Sequence, residues 1–309
     1  MATRTGLRPE DRIGEALAAV AADILADARG AIEAEDRSDA VAIHDFRKAM
    51  KRWRAFLRLL EPTIGEEARA LRTAARDLAR ELASARDSQS ALDALTDLDK
   101  AESVPSPRSL ATMRERLQAM REAAETKTLT PPLRRRLTGA LDTAGHQVEA
   151  WPLDRTAFSD IATGLATAYG RARQAIPRSW AKADAEELHE LRQRVVVHRY
   201  QMELIAPLWP RLSKLWIGEA QRLRERLGTC QDLSVLAALA ARGQPLAHWR
   251  ARLDAAIGER HAVHVRAAAR MAGRLFSEKP KAFQRRMEAL WRAGDEEAGE
   301  RQRRGSDIG

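Results

Sequence analysis

Apolar positions return along this chain at helical spacing, and no segment sustains the period-two alternation of a half-buried strand. Between residues 10 and 33, Ile13, Leu17, Val20, Ile24 and Leu25 fall on one side of a helix. A second helix is expected over 40–61, stopped by Pro62, which lacks the backbone donor a helix interior needs. More helices are expected at 66–85, 88–99, 108–125 and 131–149, the last opening on Pro131 and Pro132. A linker at 103–107 and a break at Trp151, Pro152 and Leu153 interrupt the series. Helices at 156–175, 184–206, 211–227, 231–242, 245–274 and 279–293 follow. From Gly294 the chain has no apolar face, so residues 293–309 are expected to form a disordered tail. The fold class is all-α.

The chain resembles itself. At an offset of 145, without gaps, His44 falls on His189, Arg47 on Arg192, Arg54 on Arg199 and Leu59 on Leu204. Pro62 then falls on Pro207, Ala75 on Ala220, Leu78 on Leu223, Leu82 on Leu227 and Asp87 on Asp232. Ala and Leu matches are cheap in this composition, but His, Arg, Arg, Pro and Asp in register are not. Two duplicated halves, 8–152 and 156–292, each an antiparallel helical bundle, is the economical reading.

The helix beginning near residue 40 carries the candidate chemistry. With His44 set at zero and about 100° per residue, Arg47 lies near −60°, Lys48 near +40° and Lys51 near −20°. On the same wheel Arg54 lies at about −80°, Arg58 at about −40° and Arg52 further round, at about +80°. Phe46, Met50, Trp53, Phe56, Leu57 and Leu60 take the opposite side. A row of cations about 20 Å long therefore backs onto an apolar face. No acid interrupts the row; Glu61 comes only at the helix end. On the next helix Arg69, Arg72, Arg76 and Arg80 also share one face. Two such rows facing each other repel unless water or an anion lies between them. The alternative is an ordinary solvated face. In the second half His189, Arg192 and Arg199 keep the row, with Tyr200 beside them and Lys214, Gln221 and Arg224 on the following helix. Val196 and Glu203 stand where the first half has Lys51 and Arg58, so the second half is the poorer in cations.

Composition sharpens this reading. Lys and Arg total 53 against 44 Asp and Glu, for a net charge of +9, and Arg dominates the cations. Arginine holds phosphate bidentately and keeps its proton, so an anionic partner is expected. Apolar runs reach only about seven residues against the roughly 20 that span a bilayer, so no membrane contact is expected. The N-terminal charges do not read as a secretory signal. With one cysteine, Cys230, a disulfide framework and a thiolate metal cluster are excluded, and a reducing cytoplasm fits.

In both halves, the His-x2-Arg helix resembles the CHAD family of histidine-containing α-helical domains. The first half reads His44-x2-Arg47-x3-Lys51-Arg52-x-Arg54, followed by Ala85, Arg86 and Asp87. The second reads Leu188-His189-x2-Arg192 with Arg199, Tyr200, Glu203 and Leu204, then Gln221, Leu227, Gly228 and Asp232. The resemblance covers about residues 8–292. It implies two pseudo-repeated helical bundles around a basic central cavity that binds inorganic polyphosphate without hydrolysing it. His44, Arg47, Lys48, Lys51, Arg52, Arg54, Arg58, Arg72, Arg76 and Arg80 would line it from the first half. His189, Arg192, Arg199, Tyr200, Lys214 and Arg224 would line it from the second. Polyphosphate storage in the cytoplasm, or at granules with other granule proteins, would be the role. The Glu-x-Glu-x-Lys strand of the triphosphate-tunnel (CYTH) domain that often accompanies the family is absent, so a stand-alone domain is expected. The alternative is a basic helical nucleic-acid-binding protein. The aromatics of the basic helices fall on their apolar faces, which disfavours base stacking.

Other constellations point less far. His261 and His264 read as a surface pair beside Arg260 and Arg266, His198 as a packed core histidine, and Asp87 and Asp232 as helix N-caps. No phosphate loop, dinucleotide fingerprint or nucleophile elbow occurs, and no cofactor or metal is expected.

Overall fold

A computed structural model describes residues 6–34, 36–82, 86–102, 106–124 and 129–306. Among them are eleven α-helices and no strand. They are α1 Ile13–Glu33, α2 Asp39–Ile64, α3 Glu66–Glu81, α4 Arg86–Lys100, α5 Pro107–Ala124 and α6 Pro131–Glu149. After a 3-10 turn at Leu153–Arg155 come α7 Phe158–Gln174, α8 Ala185–Leu204, α9 Pro210–Leu239, α10 Arg250–Leu275 and α11 Pro280–Ser306. No helix is long and apolar enough to cross a membrane among the described residues.

Local chemistry sets many of these ends. Thr130 caps α6 by accepting the Leu133 N–H, and Pro131 and Pro132 occupy the first turn. Asp184 accepts the N–H groups of Glu186 and Glu187 at 2.9 and 2.8 Å, and Glu187 accepts the Asp184 N–H at 3.1 Å, a closed capping box for α8. Gly65, at φ 57°, ends α2 in a conformation that suits glycine.

Three expected breaks are bridged. Pro62 lies in the last turn of α2, so the helix loses one donor and still reaches Ile64. Gly228 sits inside a continuous 30-residue α9, where two helices were expected. Asp232 is therefore a mid-helix residue and not an N-cap, while Asp87 is the second residue of α4. The expected tail is helical through Ser306; Glu, Gln, Arg and Ala propagate a helix well even without an apolar face. Positions 103–105 of the expected linker, Ala85 and the last three residues lie outside the described residues.

Packing partners correspond across the offset that relates His44 to His189. α1 packs on α2 and α6 as α7 packs on α8 and α11, and α2 meets α3 as α8 meets α9. The two halves are not segregated, however: α2 crosses α7 and α8, and α4 lies along α9. One core joins α1, α2, α7, α8 and α11. A second is shared by α4 and α5 with α9 and α10, through Leu95, Leu98, Met113, Leu236 and Leu253. The α2–α7 crossing is close enough that a Cβ on Gly164 would lie 2.7 Å from the Leu59 carbonyl oxygen.

Two histidines are buried with defined partners. His198 is a packed residue, ringed by Tyr169, Phe276 and Phe283, and its Nε2 accepts the Trp216 indole N–H at 2.9 Å. Burial, with a smaller push from Arg286, lowers it to about 3. His264 is not on the surface as expected. It is 2% exposed, with Nε2 at 2.8 Å from Asp97 and Nδ1 at 3.2 Å from an Arg226 N–H. Arg226 must donate, so Nδ1 accepts and Nε2 carries the proton toward Asp97. Arg260 grips the same carboxylate at 2.6 and 2.9 Å. Burial raises the Asp97 carboxyl, but Arg260 and His264 outweigh it and hold it below its usual range.

Two outcomes follow for stability. Gly164→Ala should cost about 1–3 kcal/mol by forcing α7 off α2. Gly139→Ala, where a Cβ meets open space inside α6, should gain about 0.5–1 kcal/mol, both read as denaturant midpoints. Acid should also unfold the protein through His198. The unfolded histidine takes up its proton near pH 6.5, above the folded value, so stability should fall by up to about 1.4 kcal/mol per pH unit on acidification. That loss should level off only below about pH 3, with Asp97 adding in the same direction below about pH 4. His198→Gln, which keeps an acceptor for Trp216, should lose less between pH 6 and 4 in melts followed by circular dichroism.

Candidate anion-binding site

α2 is built as the sequence implied. Phe46, Met50, Trp53, Phe56, Leu57 and Leu60 are buried. On the other side His44, Lys48 and Lys51 are exposed and Arg47, Arg54 and Arg58 half-buried. Arg52 departs from the row. It is 8% exposed and reaches Asp23 and Asp27 of α1, each at 2.9 Å, so it clamps α1 to α2.

α3 lays its arginines against this row. Burial lowers the Arg54 guanidinium below its ordinary value, and the further causes are Arg76, Arg72 and Arg80, all on α3. Its Nε is buried without a hydrogen-bond partner among the described residues. Arg58 is pushed down to about 10, first by burial and then by Arg194, Arg72, Arg54 and Arg171. Arginines of α2, α3, α7 and α8 thus act on one guanidinium, and they are the largest charge effects on it. The row is not wholly without acids. Glu61 accepts from Arg69 at 2.9 Å and from Arg72, while Arg76 holds Asp77 at 2.9 Å and Arg80 stands 3.9 Å from it. Burial raises the Glu61 carboxyl, but Arg69 and Arg72 prevail and keep it ionised. Arg76 and Arg80 remain exposed, so the arginine face opens to solvent along α3.

The second half forms a smaller group between α8 and α9. Gln231 Oε1 accepts from Arg192 at 2.9 Å and lies 3.0 Å from His189 Nδ1. The donor from Arg192 fixes the amide oxygen at this point, so Nδ1 donates to it and Nε2 is left as the acceptor. Arg192 lies along α9 at Gly228, where a Cβ would meet its Nε at 3.4 Å, an ordinary contact distance. Arg199 turns away, paired with Glu203 and lying 4.2 Å over the Tyr200 ring. Tyr200 is itself buried, in a crevice with Arg52, Phe56 and Gln201. Lys214 is exposed and Arg224 half-buried, 3.6 Å from Glu225.

The structure therefore brings together Arg54, Arg58, Arg72, Arg76 and Arg80, with His44, Arg47, Lys48 and Lys51 continuing the α2 row. His189 and Arg192 are joined separately. Arg52 clamps α1 to α2, Tyr200 is buried beside Phe56 of α2, and Arg199 is paired with Glu203 within α8. Sequence reasoning missed Gln231, Arg171 and Arg194. Gln231 stands at the position matching Arg86, which could have marked it. Arg194 lies about 140° round from His189 and Arg171 is on another helix, so neither carried a signal.

A family model described as the CHAD domain matches residues 15–241. A comparison with curated proteins finds no match. Among solved structures, the chain is similar to the crystal structure of the CHAD domain from the plant Ricinus communis. The TM-score is 0.57 and the identity 21%, over 88% of this chain and 95% of that one. At that identity the likeness speaks for the fold. The family match is the stronger finding, because it runs through α2, α3, α8 and α9 and takes in every cation of the candidate site; this chain belongs to the CHAD domain family.

Proposed function

We propose that this protein binds inorganic polyphosphate along the arginine face of α2 and α3, and holds the polymer without cleaving it. The observation that carries the reading is the pair Arg54 and Arg58. Each is a half-buried guanidinium whose largest charged influences, after burial itself, are other arginines, an arrangement that a polyanion would relieve. Polyphosphate suits it, since it offers a charge on every phosphate and only oxygen acceptors. The family resemblance implies the same ligand. Nucleic acid would want bases stacked on aromatics between the cations, yet Phe46, Trp53 and Phe56 are buried behind the row.

The reading is of a binding protein. The one cysteine, Cys230, is buried and its thiol is raised to about 12, first by burial, which leaves it a poor nucleophile. Storage of polyphosphate in the cytoplasm, or at granules beside other polyphosphate-binding proteins, is the role that fits.

Competition decides between ligands. Labelled polyphosphate should be displaced by unlabelled polyphosphate at physiological salt, and poorly by DNA, RNA, pyrophosphate or ATP; displacement by single-stranded DNA at equal phosphate would select the nucleic-acid reading. Arg54→Ala with Arg58→Ala should weaken binding by several kcal/mol, at about 1.5–3 for each charge-assisted contact. The same variant should melt no lower than the parent, because it relieves repulsion. Log affinity against log salt should fall with a slope of about 0.7 per phosphate neutralised, by analogy with single strands. Five engaged arginines would make it about 3.5.

A further inference from the structure

The arginine row does not end on α2 and α3. We infer that Arg58, Arg171 and Arg194 form a second phosphate position, at the junction of α2, α7 and α8, which takes internal phosphates of a chain that already lies on the α2–α3 face. This rests on the polyphosphate reading and adds to it where the chain goes next.

The placement stands on two contacts that fix which sides of α7 and α8 look at α2. On α7, Gly164 is so near α2 that a Cβ would lie 2.7 Å from the Leu59 carbonyl oxygen. Arg171 follows it by seven residues, close to two turns, and so shares that side. On α8, Gln201 donates to the Ala55 carbonyl of α2 at 3.1 Å. Arg194 precedes Gln201 by seven residues and again shares the α2-facing side. Arg58 lies on α2 beside both crossings, one residue before Leu59 and three after Ala55, and Arg171, Arg194 and, from α3, Arg72 are among the charges that act on it most, so the two groups of cations share it. Arg171 is exposed and Arg194 is 27% exposed, which leaves the junction open to a ligand. The local acid is Glu190, one turn before Arg194 and bonded to it at 2.5–2.6 Å. It occupies the guanidinium that a phosphate would take, so it acts as a competitor within the site. A short anion can be satisfied on α2 and α3 alone. Only a longer chain reaches across Arg58 to the α7–α8 side.

The test compares long-chain polyphosphate with tripolyphosphate on the full chain, by titration over a range of salt. Arg171→Gln with Arg194→Gln should lower long-chain affinity about tenfold or more, lower tripolyphosphate affinity by less, and reduce the long-chain salt slope by about 1.4 for two lost phosphates. Glu190→Gln should act in the opposite sense and tighten long-chain binding several-fold, which a purely structural Arg194 would not do. Unchanged long-chain affinity and slope in both variants, while Arg54→Ala with Arg76→Ala still weakens binding, would overturn the second position and leave the first standing. If Arg54→Ala with Arg76→Ala also changes nothing, the polyphosphate reading itself fails. Should the double glutamine variant not fold, the sign of the Glu190→Gln effect decides alone.

Discussion

Repulsion between guanidinium groups around Arg58 is the constraint that the surrounding helices must accommodate. α2 packs against α1, α3, α7 and α8, and an arginine from each of the last three reaches the neighbourhood of Arg58. Like charges at such range would drive the helices apart if cationic contact were all that joined them. They stay together because the opposite face of α2 carries large apolar side chains. Phe46, Met50, Trp53, Phe56, Leu57 and Leu60 are buried in the main core, and Trp53 stacks on Trp151 with ring centroids 6.0 Å apart. Burial of such side chains is worth about 1.5–3 kcal/mol each. That is enough for one helix to present cations on one side while its neighbours hold it by the other.

Arg52 and Arg58 show how position alone divides one residue type into two roles. They are less than two turns apart on α2. Arg52 is the more buried, yet it meets Asp23 and Asp27 of α1 at 2.9 Å and its charge is answered within the fold. Breaking such a buried pair would strand a charge, so Arg52 belongs to the architecture. Arg58 meets cations only among the neighbours that act on it most. Arginine count could never separate the two. Their partners do, and those partners lie on helices distant in sequence.

The same distinction marks what the sequence could show. Helical period placed most helices, because an apolar stripe is written locally. It placed the α2 row for the same reason, and Arg52 already stood to one side of that row on the helical wheel. It failed where a local rule was overridden. Pro62 is a stop signal by its chemistry, but so near the end of α2 one missing donor costs the helix little. Helices are expected to end at 227 and restart at 231, but one glycine inside a 30-residue helix costs only about 1 kcal/mol and α9 runs through it. His264 carries no sign of burial in the local sequence, since nothing nearby announces Asp97. Arg171 and Arg194 were invisible for a related reason. Their relevance comes from the crossings at Gly164 and Gln201, and those are facts of tertiary packing.

The two halves of the chain are joined by polar groups in two contrasting ways. Where α4 meets α9 and α10, Asp97 is gripped by Arg260, bonded to His264 and backed by Arg226, so each buried charge has a partner. Where α2 meets α7 and α8, Arg58 faces Arg171 and Arg194 with no such answer among the charges that act on it. Both junctions use arginines, so composition does not explain the difference. A sequence consistent at every level would have placed an acid opposite Arg58, as it placed Asp97 opposite Arg260. Sites that break such consistency are where function is expected to reside. The first junction holds the halves in register, and the charge left unanswered at the second is the part of the fold that a polyanion would complete.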